Sequence, residues 1–219
     1  MSLEEILSEL QQAGDPQRVA SLKRVGAAAP AFGVDLPTLR ALARRIGHDH
    51  RLALVLWQEP VREARILASL IDDPERVTAN QMERWARGFD SWEICDQVCQ
   101  NLFAHTPMAL PKAVEWIRRP EEFVKRAGFV LVAVRAVHDK RAHDDTFADL
   151  LPTLMAAADD DRPYVRKGAS WALRQIGKRN DRLRTRVLDT VTPCIDSDSR
   201  GARWVARDVS RELVGAGAG

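Results

Sequence analysis

Helical periodicity runs through the whole chain and constrains its fold more than any other feature. In the first segment the apolar residues Leu3, Ile6, Leu7 and Leu10 recur at intervals of three and four, which places them on one face of an α-helix. The same spacing returns in segment after segment, whereas the strict alternation of a half-buried β-strand is not sustained anywhere. The sequence therefore predicts an all-α fold.

Helix-breaking residues divide the chain into short helices with short connections. A glycine or a proline interrupts the apolar pattern at regular intervals, and proline is favoured at the first position of a following helix. These interruptions fall at Gly14-Asp15-Pro16, Gly47, Glu59-Pro60, Asp73-Pro74, Thr106-Pro107, Arg119-Pro120 and Arg162-Pro163.

Two internal similarities indicate a repeat. Residues Val124 to Phe129 resemble Val165 to Ser170 at an offset of 41, and Gly168 to Trp171 resemble Gly201 to Trp204 at an offset of 33. In these segments, basic residues stand near the start of a helix, and small residues and an apolar run accompany them. That order is typical of the second helix in a HEAT-like helix pair, where small residues let neighbouring helices approach closely.

The repeats predict an α-solenoid of roughly five to six HEAT-like helix pairs with a concave face. We expect it to form a single domain over residues 1–214, followed by a flexible tail at 215–219. A compact orthogonal helical bundle is the alternative. It makes similar local predictions, but the repeat offsets favour the solenoid.

Basic residues are concentrated in the second half of the chain. Residues 111–219 hold 21 basic and 16 acidic side chains, whereas residues 1–110 hold 12 and 15, although the net charge is only +2. This asymmetry fits a partner that carries phosphates. It also fits long helices that simply expose many arginines.

The cysteines and the N-terminus indicate a cytoplasmic protein. Three cysteines, Cys95, Cys99 and Cys194, are an odd number that argues against a disulfide framework. Cys95 and Cys99 are expected to be buried as small apolar residues. The segment Met1 to Leu7 lacks the basic start of a signal peptide, and no apolar run approaches the ~20 residues that span a membrane.

Neither a metal nor a cofactor is predicted. His48-Asp49-His50 lies at a helix boundary without further ligands nearby, so it is a poor candidate for a metal site. The chain also lacks a glycine loop of the kind that cradles phosphates.

The segment from Phe89 to Val98 is the best candidate for chemistry. On a helix, Trp92 and Asp96 stand four residues apart and share one face. Asp90 or Ser91 could cap the start of that helix. From these residues alone, a core tryptophan beside an aspartate paired with an arginine is the simpler account, and a functional groove is the alternative.

Further motifs, in their order along the chain, make it resemble the AlkD-like family of DNA alkylation repair enzymes. Each motif is short, but together they extend over most of the length. They are Phe32-Gly33-Val34 with Pro37, Leu39 and Arg40; Leu56-Trp57 with Glu63; Ser91-Trp92 with Asp96; Lys125-Arg126-Ala127; Lys167 with Trp171-Ala172-Leu173-Arg174; and Lys178-Arg179-Asn180.

This resemblance implies a DNA glycosylase. In that family, HEAT-like helix pairs hold double-stranded DNA on a concave basic face. The enzyme hydrolyses the N-glycosidic bond of cationic alkylpurines such as N7-alkylguanine and N3-alkyladenine, without base flipping and without a cofactor. A concave stack of this kind works as a monomer.

The resemblance also implies roles for particular residues. Asp96 matches the catalytic carboxylate, and Trp92 and Trp171 match the tryptophans that line the cleft beside the lesion. Arg126 matches the arginine that holds the DNA backbone there. Tyr164 falls where the family has an aromatic residue on the DNA surface. Pro163, its neighbour, departs from the expected aromatic pair.

Basic side chains would complete a DNA surface. Phosphate contacts from such residues bind DNA without reading its sequence. Lys125, Arg126, Arg166 and Lys167 are favoured because they recur at the same place in the repeat pattern. The wider candidate set adds Arg174, Lys178, Arg179, Arg200, Arg203 and Arg207.

Two other functions fit the same scaffold. A DNA-structure-binding protein would hold DNA without excising bases, and a HEAT-like protein-interaction scaffold would not bind DNA at all. Retention of Asp96 argues for the enzyme.

Overall fold

The computed structural model describes residues 1–24 and 30–215, and these residues form helices joined by turns and short loops, without a β-strand. The predicted all-α fold is confirmed. Gly215, the first residue of the predicted tail, is the last residue of the final helix. Residues 216–219 lie outside the described residues.

The chain divides into two compact units, Met1–Thr106 and Pro107–Gly219. The N-terminal unit contains seven α-helices within its described residues, and a 3-10 turn at Phe103–His105 follows the last of them. The helices are α1 (Leu3–Gln12), α2 (Pro16–Arg24), α3 (Leu36–Ile46), α4 (His50–Leu56), α5 (Arg62–Ile71), α6 (Ala79–Arg87) and α7 (Trp92–Asn101).

Polar caps and an aromatic core define the N-terminal unit. Ser2 and Glu5 form a capping box at the start of α1, so two backbone N–H groups that the helix leaves unbonded gain partners. In the core, the rings of Trp57 and Trp85 stack with their centroids 4.3 Å apart. Phe89 meets Trp57 edge-on at 6.2 Å, a favourable arrangement for aromatic rings.

The C-terminal unit likewise contains seven α-helices within its described residues, with a 3-10 turn at Thr192–Cys194 before the last. The helices are α8 (Ala109–Trp116), α9 (Glu122–His138), α10 (Asp144–Ala148), α11 (Leu151–Ala157), α12 (Pro163–Gly177), α13 (Asp181–Val191) and α14 (Arg200–Gly215).

The repeat found in the sequence corresponds to α9, α12 and α14. Helix α9 packs against α8 and α12, and α12 packs against α14. The predicted close approach is visible at Gly128 of α9, where an added Cβ atom would lie 2.7 Å from the backbone nitrogen of Ile117. At Gly201 of α14 it would lie 2.7 Å from the backbone of Asp160. Both positions therefore require glycine.

Candidate functional site

Helix α7 begins at the predicted site and is capped by Ser91. The Ser91 hydroxyl accepts a hydrogen bond from the backbone N–H of Ile94 at 3.4 Å. Trp92 is the first helical residue and is partly exposed, while Asp96, one turn later, is only 8 % exposed. The two residues thus share one face of α7, as predicted. The indole lies at the start of the helix, and the buried carboxylate lies one turn further along.

A buried ionic network joins the first turn of α7 to α5. Arg62 is 5 % exposed and donates from Nε and Nη2 to the two carboxylate oxygens of Glu93, at 2.6 and 2.5 Å. Burial disfavours the charge of Arg62, but the hydrogen bonds and the charge of Glu93 outweigh it, so the pKa of Arg62 is raised. Because Glu93 directly follows Trp92, this network positions the beginning of α7.

Glu63 extends the network to the segment before α3. Its side chain accepts hydrogen bonds from the backbone N–H groups of Phe32, Gly33 and Val34 at 2.9, 2.9 and 3.2 Å. Gly33 has φ of 87°, and a Cβ atom there would lie 2.2 Å from the carbonyl oxygen of Asp15. The Phe32-Gly33-Val34 motif and Glu63 therefore act together in holding this segment.

In the C-terminal unit, Arg126 is buried against the start of α12. It is 7 % exposed, and its Nη1 donates to the backbone carbonyl of Tyr164 at 2.6 Å. The ring of Tyr164 in turn contacts Phe123, with centroids 5.7 Å apart. Two residues predicted to act on DNA, Arg126 and Tyr164, are thus brought together by α9 and α12.

Lys125 is paired with an aspartate before α12. Its Nζ lies 3.0 Å from a carboxylate oxygen of Asp160, which also accepts hydrogen bonds from the guanidinium of Arg162. Burial alone would raise the pKa of Asp160, but the hydrogen bonds from Arg162 and Lys125 outweigh it and hold that pKa well below its usual range. These contacts give Lys125 a structural partner in addition to any role on DNA.

Three further predicted site residues, Arg166, Lys167 and Trp171, lie on α12 and differ in their exposure and contacts. Lys167 is exposed and has no ion pair among the described residues. Arg166 lies over the ring of Trp204 at 4.8 Å. Trp171 stands four residues after Lys167 and is partly exposed, so these two side chains share one face of α12.

Arg174, Lys178 and Arg179 make extensive contacts within the protein. Arg174 and Lys178 both pair with Glu212, whose pKa is lowered mainly by the hydrogen bond from Lys178. Arg179 donates to the carbonyls of three residues at the end of α9 and beyond, and its guanidinium lies 4.4 Å from the ring of Phe147. Their predicted role on DNA stays a prediction, and these contacts indicate structural roles.

The network of Arg62, Glu63 and Glu93 was not predicted from the sequence. One signal could have revealed it, since Arg62 and Glu63 are adjacent charges that open a helix whose other residues are largely apolar. Charges on a buried helix face need partners. Cys95 and Cys99 are buried as expected.

The described residues also limit other kinds of site. They contain no group of three or more histidine, cysteine, aspartate or glutamate side chains that could hold a metal ion. His50 instead contacts the buried carboxylate of Asp72 at 2.6 Å. Within the same residues, no helix is both long and apolar enough to cross a bilayer.

The fold of this protein is similar to that of proteins related to the HEAT-like repeat DNA glycosylases. It matches a solved structure described as belonging to "A new family of proteins related to the HEAT-like repeat DNA glycosylases with affinity for branched DNA structures". The TM-score is 0.80 over 98 % of this chain and 97 % of that one, at 18 % sequence identity. No curated protein matches the sequence.

The family itself is shown by a sequence model. The model for "DNA alkylation repair enzyme" matches residues 6–213, which is nearly the whole chain. The protein belongs to this DNA alkylation repair family, as its ordered motifs predicted.

Proposed function

We propose that this protein is a monofunctional DNA glycosylase that releases cationic alkylpurines, such as N7-alkylguanine and N3-alkyladenine, from double-stranded DNA. One observation carries the proposal. A member of the DNA alkylation repair family presents a buried carboxylate, Asp96, one helical turn from a partly exposed tryptophan, Trp92.

The chemistry needs few protein groups. Ordinary glycoside hydrolysis uses an acid to protonate the leaving group and a second carboxylate. A cationic alkylpurine already carries a positive charge, so it leaves as a neutral base without such an acid. What remains is to stabilise the developing oxocarbenium ion of the sugar and to orient a water molecule. A single carboxylate, Asp96, performs both tasks electrostatically in this proposal.

The other predicted residues have supporting roles. The indole face of Trp92 attracts the same positive charge by about 0.5–2 kcal/mol depending on desolvation, and Trp171 takes the role that the resemblance to the family gives it. Arg126 holds a backbone phosphate through a charge-assisted hydrogen bond. Most enzymes that act on bases turn the target out of the helix. Here the resemblance supports cleavage without base flipping, because the base need not enter a protein pocket.

A base-release assay tests the proposal. Duplex DNA with N7-methylguanine or N3-methyladenine is incubated with the protein, and free base is measured against spontaneous depurination at the same temperature. Asp96→Asn is expected to reduce release at least about 100-fold, as loss of a preorganised electrostatic group does, while DNA affinity stays close to that of the wild type. Asp189→Asn is the matched control, since Asp189 is exposed and forms no ion pair among the described residues.

The results separate the roles clearly. Absence of release by the wild-type protein would contradict the proposal. Equal loss of binding and release in Asp96→Asn would contradict the catalytic role of Asp96.

A second function is favoured by the similar solved structure, which belongs to a family described as having affinity for branched DNA structures. On this alternative the protein binds four-way DNA junctions without excising bases. It is supported if junctions bind more tightly than linear duplexes of equal length and no base is released from either.

A further inference from the structure

Helix α5 carries two arginines that contact the chain on either side of Trp92. Arg62 and Arg65 stand three residues apart, so their side chains share one face of the helix, and α5 packs against α7. Arg62 binds Glu93, the residue after Trp92, through the two hydrogen bonds described above. Arg65 contacts the chain before Trp92.

Arg65 binds the connection between α6 and α7, which consists of residues 88–91. Its Nη1 donates to the carbonyl of Gly88 at 3.3 Å and to a carboxylate oxygen of Asp90 at 3.0 Å. Its guanidinium also lies over the ring of Trp57, 5.4 Å from the centroid, which is within the range of a cation–π contact. One side chain therefore links the connection to the aromatic core of the N-terminal unit.

The position of Asp90 depends on Arg65. The Asp90 side chain is 29 % exposed and that of Arg65 is 18 % exposed, so this ion pair is partly shielded from solvent. The second carboxylate oxygen of Asp90, Oδ1, is buried and has no hydrogen-bond partner among the described residues. A partly buried carboxylate that loses its cation is unfavourable. Without Arg65, Asp90 would therefore move toward water.

A movement of Asp90 would reach Trp92 because only Ser91 lies between them. Ser91 is the N-cap of α7, with an extended backbone and a hydrogen bond from the backbone N–H of Ile94. The cap ties the connection to the helix, so the two move together. The contacts of Asp90 and Glu93 with α5 thus determine where the indole of Trp92 stands.

We propose that Arg65 is a positioning residue, which together with Arg62 clamps both sides of Trp92 and holds its indole in the place from which it acts. The inference rests on the proposed glycosylase function and deepens it. Arg65 acts through Trp92 and not through a phosphate, because little of its side chain is exposed and its guanidinium already binds Gly88 and Asp90.

The clamp should affect the rate of base release more than the affinity for DNA. Attraction between an indole face and a positive charge requires the charge within about 6 Å of the ring. A displacement of about 1 Å that begins far from the reacting atoms reduces a rate by about 100-fold. A displaced Trp92 would still belong to a folded protein that holds DNA through its other contacts.

Single-turnover release of N7-methylguanine from duplex DNA tests the inference. Arg65→Gln is expected to lower the rate constant about 10- to 100-fold, while the affinity for the same duplex stays close to that of the wild type. Arg65→Lys should restore part of the rate, because an ammonium ion can bind Asp90 but lacks the planar group that also reaches Gly88 and covers Trp57.

The partner of Arg65 gives a second test. Asp90→Asn should cause a similar loss of rate, and Arg65→Gln/Asp90→Asn should lose no more than either single variant, because both act through one contact. Arg51→Gln is the matched control, since Arg51 is exposed on α4 and has no ion pair among the described residues. All rates are measured below the melting temperature of every variant, so that unfolding does not contribute.

Fluorine NMR measures the position of Trp92 independently of base release. The full-length protein is labelled with fluorotryptophan at its six tryptophans, and Trp92→Phe identifies the Trp92 signal by its loss. Arg65→Gln should shift or broaden this signal, and Arg65→Lys should do so less. Arg51→Gln should leave it unchanged.

Three results would overturn the inference: an unchanged Trp92 signal in Arg65→Gln, a rate constant equal to that of the wild type, or losses that add in the double variant. An equal loss of rate in Arg51→Gln would also contradict it. Absence of base release by the wild type contradicts the proposed function alone. In that case a shifted Trp92 signal supports the clamp, and an unchanged signal overturns it.

Discussion

At the scale of single residues, Asp160 shows how a partly buried charge is accommodated in this protein. Its carboxylate receives the Nζ of Lys125 at 3.0 Å and two guanidinium nitrogens of Arg162 at 2.9 and 2.7 Å. Arg162 also donates to the carbonyl of Pro120 at 2.7 Å. A carboxylate with this many donors is stabilised in its charged form, which outweighs the cost of burying it. Lys125 therefore contributes to folding whether or not it also meets DNA.

This arrangement predicts a loss of stability in acid that depends on Asp160. Its pKa lies below the ordinary value of 3.8 in the folded protein, so the unfolded chain takes up a proton first as the pH falls. The contribution is complete well above pH 3.8 and is lost as the pH falls toward the folded pKa. Melting temperatures measured between neutral pH and acid should fall less steeply for Asp160→Asn than for the wild type.

The comparison needs a control for general charge effects. Asp189→Asn removes an exposed carboxylate without an ion pair among the described residues and should keep the wild-type pH profile. A profile of Asp160→Asn parallel to that of the wild type would contradict the assignment.

At the scale of helices, local signals were sufficient to locate the elements. The apolar spacing of Leu3 to Leu10 and the capping residue Ser91 are effects within a few residues, and both helices form as predicted. Contacts between helices could not be found in this way. The partners of Glu63 lie about thirty residues earlier, and Arg174 meets Glu212, 38 residues later. Periodicity states which face is buried but not which side chain lies opposite.

The network between α5 and α7 predicts that Arg62 is essential to the N-terminal unit. Arg62→Met should lower the free energy of unfolding by about 3–5 kcal/mol, because it leaves the buried charge of Glu63 and the partly buried charge of Glu93 without this partner. Urea denaturation followed by circular dichroism measures the change.

Arg51→Met is the matched control, since Arg51 is exposed on α4 and has no ion pair among the described residues. It should change the free energy by less than about 0.5 kcal/mol. Equal effects of the two substitutions would show that the network does not stabilise the unit.

At the scale of the whole molecule, the basic residues of the second half of the chain fall into two groups, those with partners inside the protein and those without. The excess of basic residues in the second half is not one uniform surface. Lys125, Arg174, Lys178 and Arg179 have partners within the protein, whereas Lys167 and several donors of the α14 arginines have none among the described residues. The composition does not distinguish the two kinds, and the sequence pattern predicted both to bind DNA. Only the contacts separate them.

This distinction predicts that two lysines of the same unit behave differently toward DNA. Lys167→Gln should reduce the salt dependence of duplex binding by about one phosphate contact, because an unpaired ammonium ion can release a counterion from the DNA. Lys178→Gln removes the same charge, but Lys178 pairs with Glu212, so a contact with phosphate would first require that pair to break. Its slope should therefore stay close to that of the wild type.

Fluorescence anisotropy at a series of salt concentrations measures both slopes, and the melting temperature checks that each variant is folded. If Lys178→Gln lowers the slope as much as Lys167→Gln, the pairing with Glu212 does not decide which cations meet DNA. The DNA surface would then follow the sequence pattern and not the internal contacts.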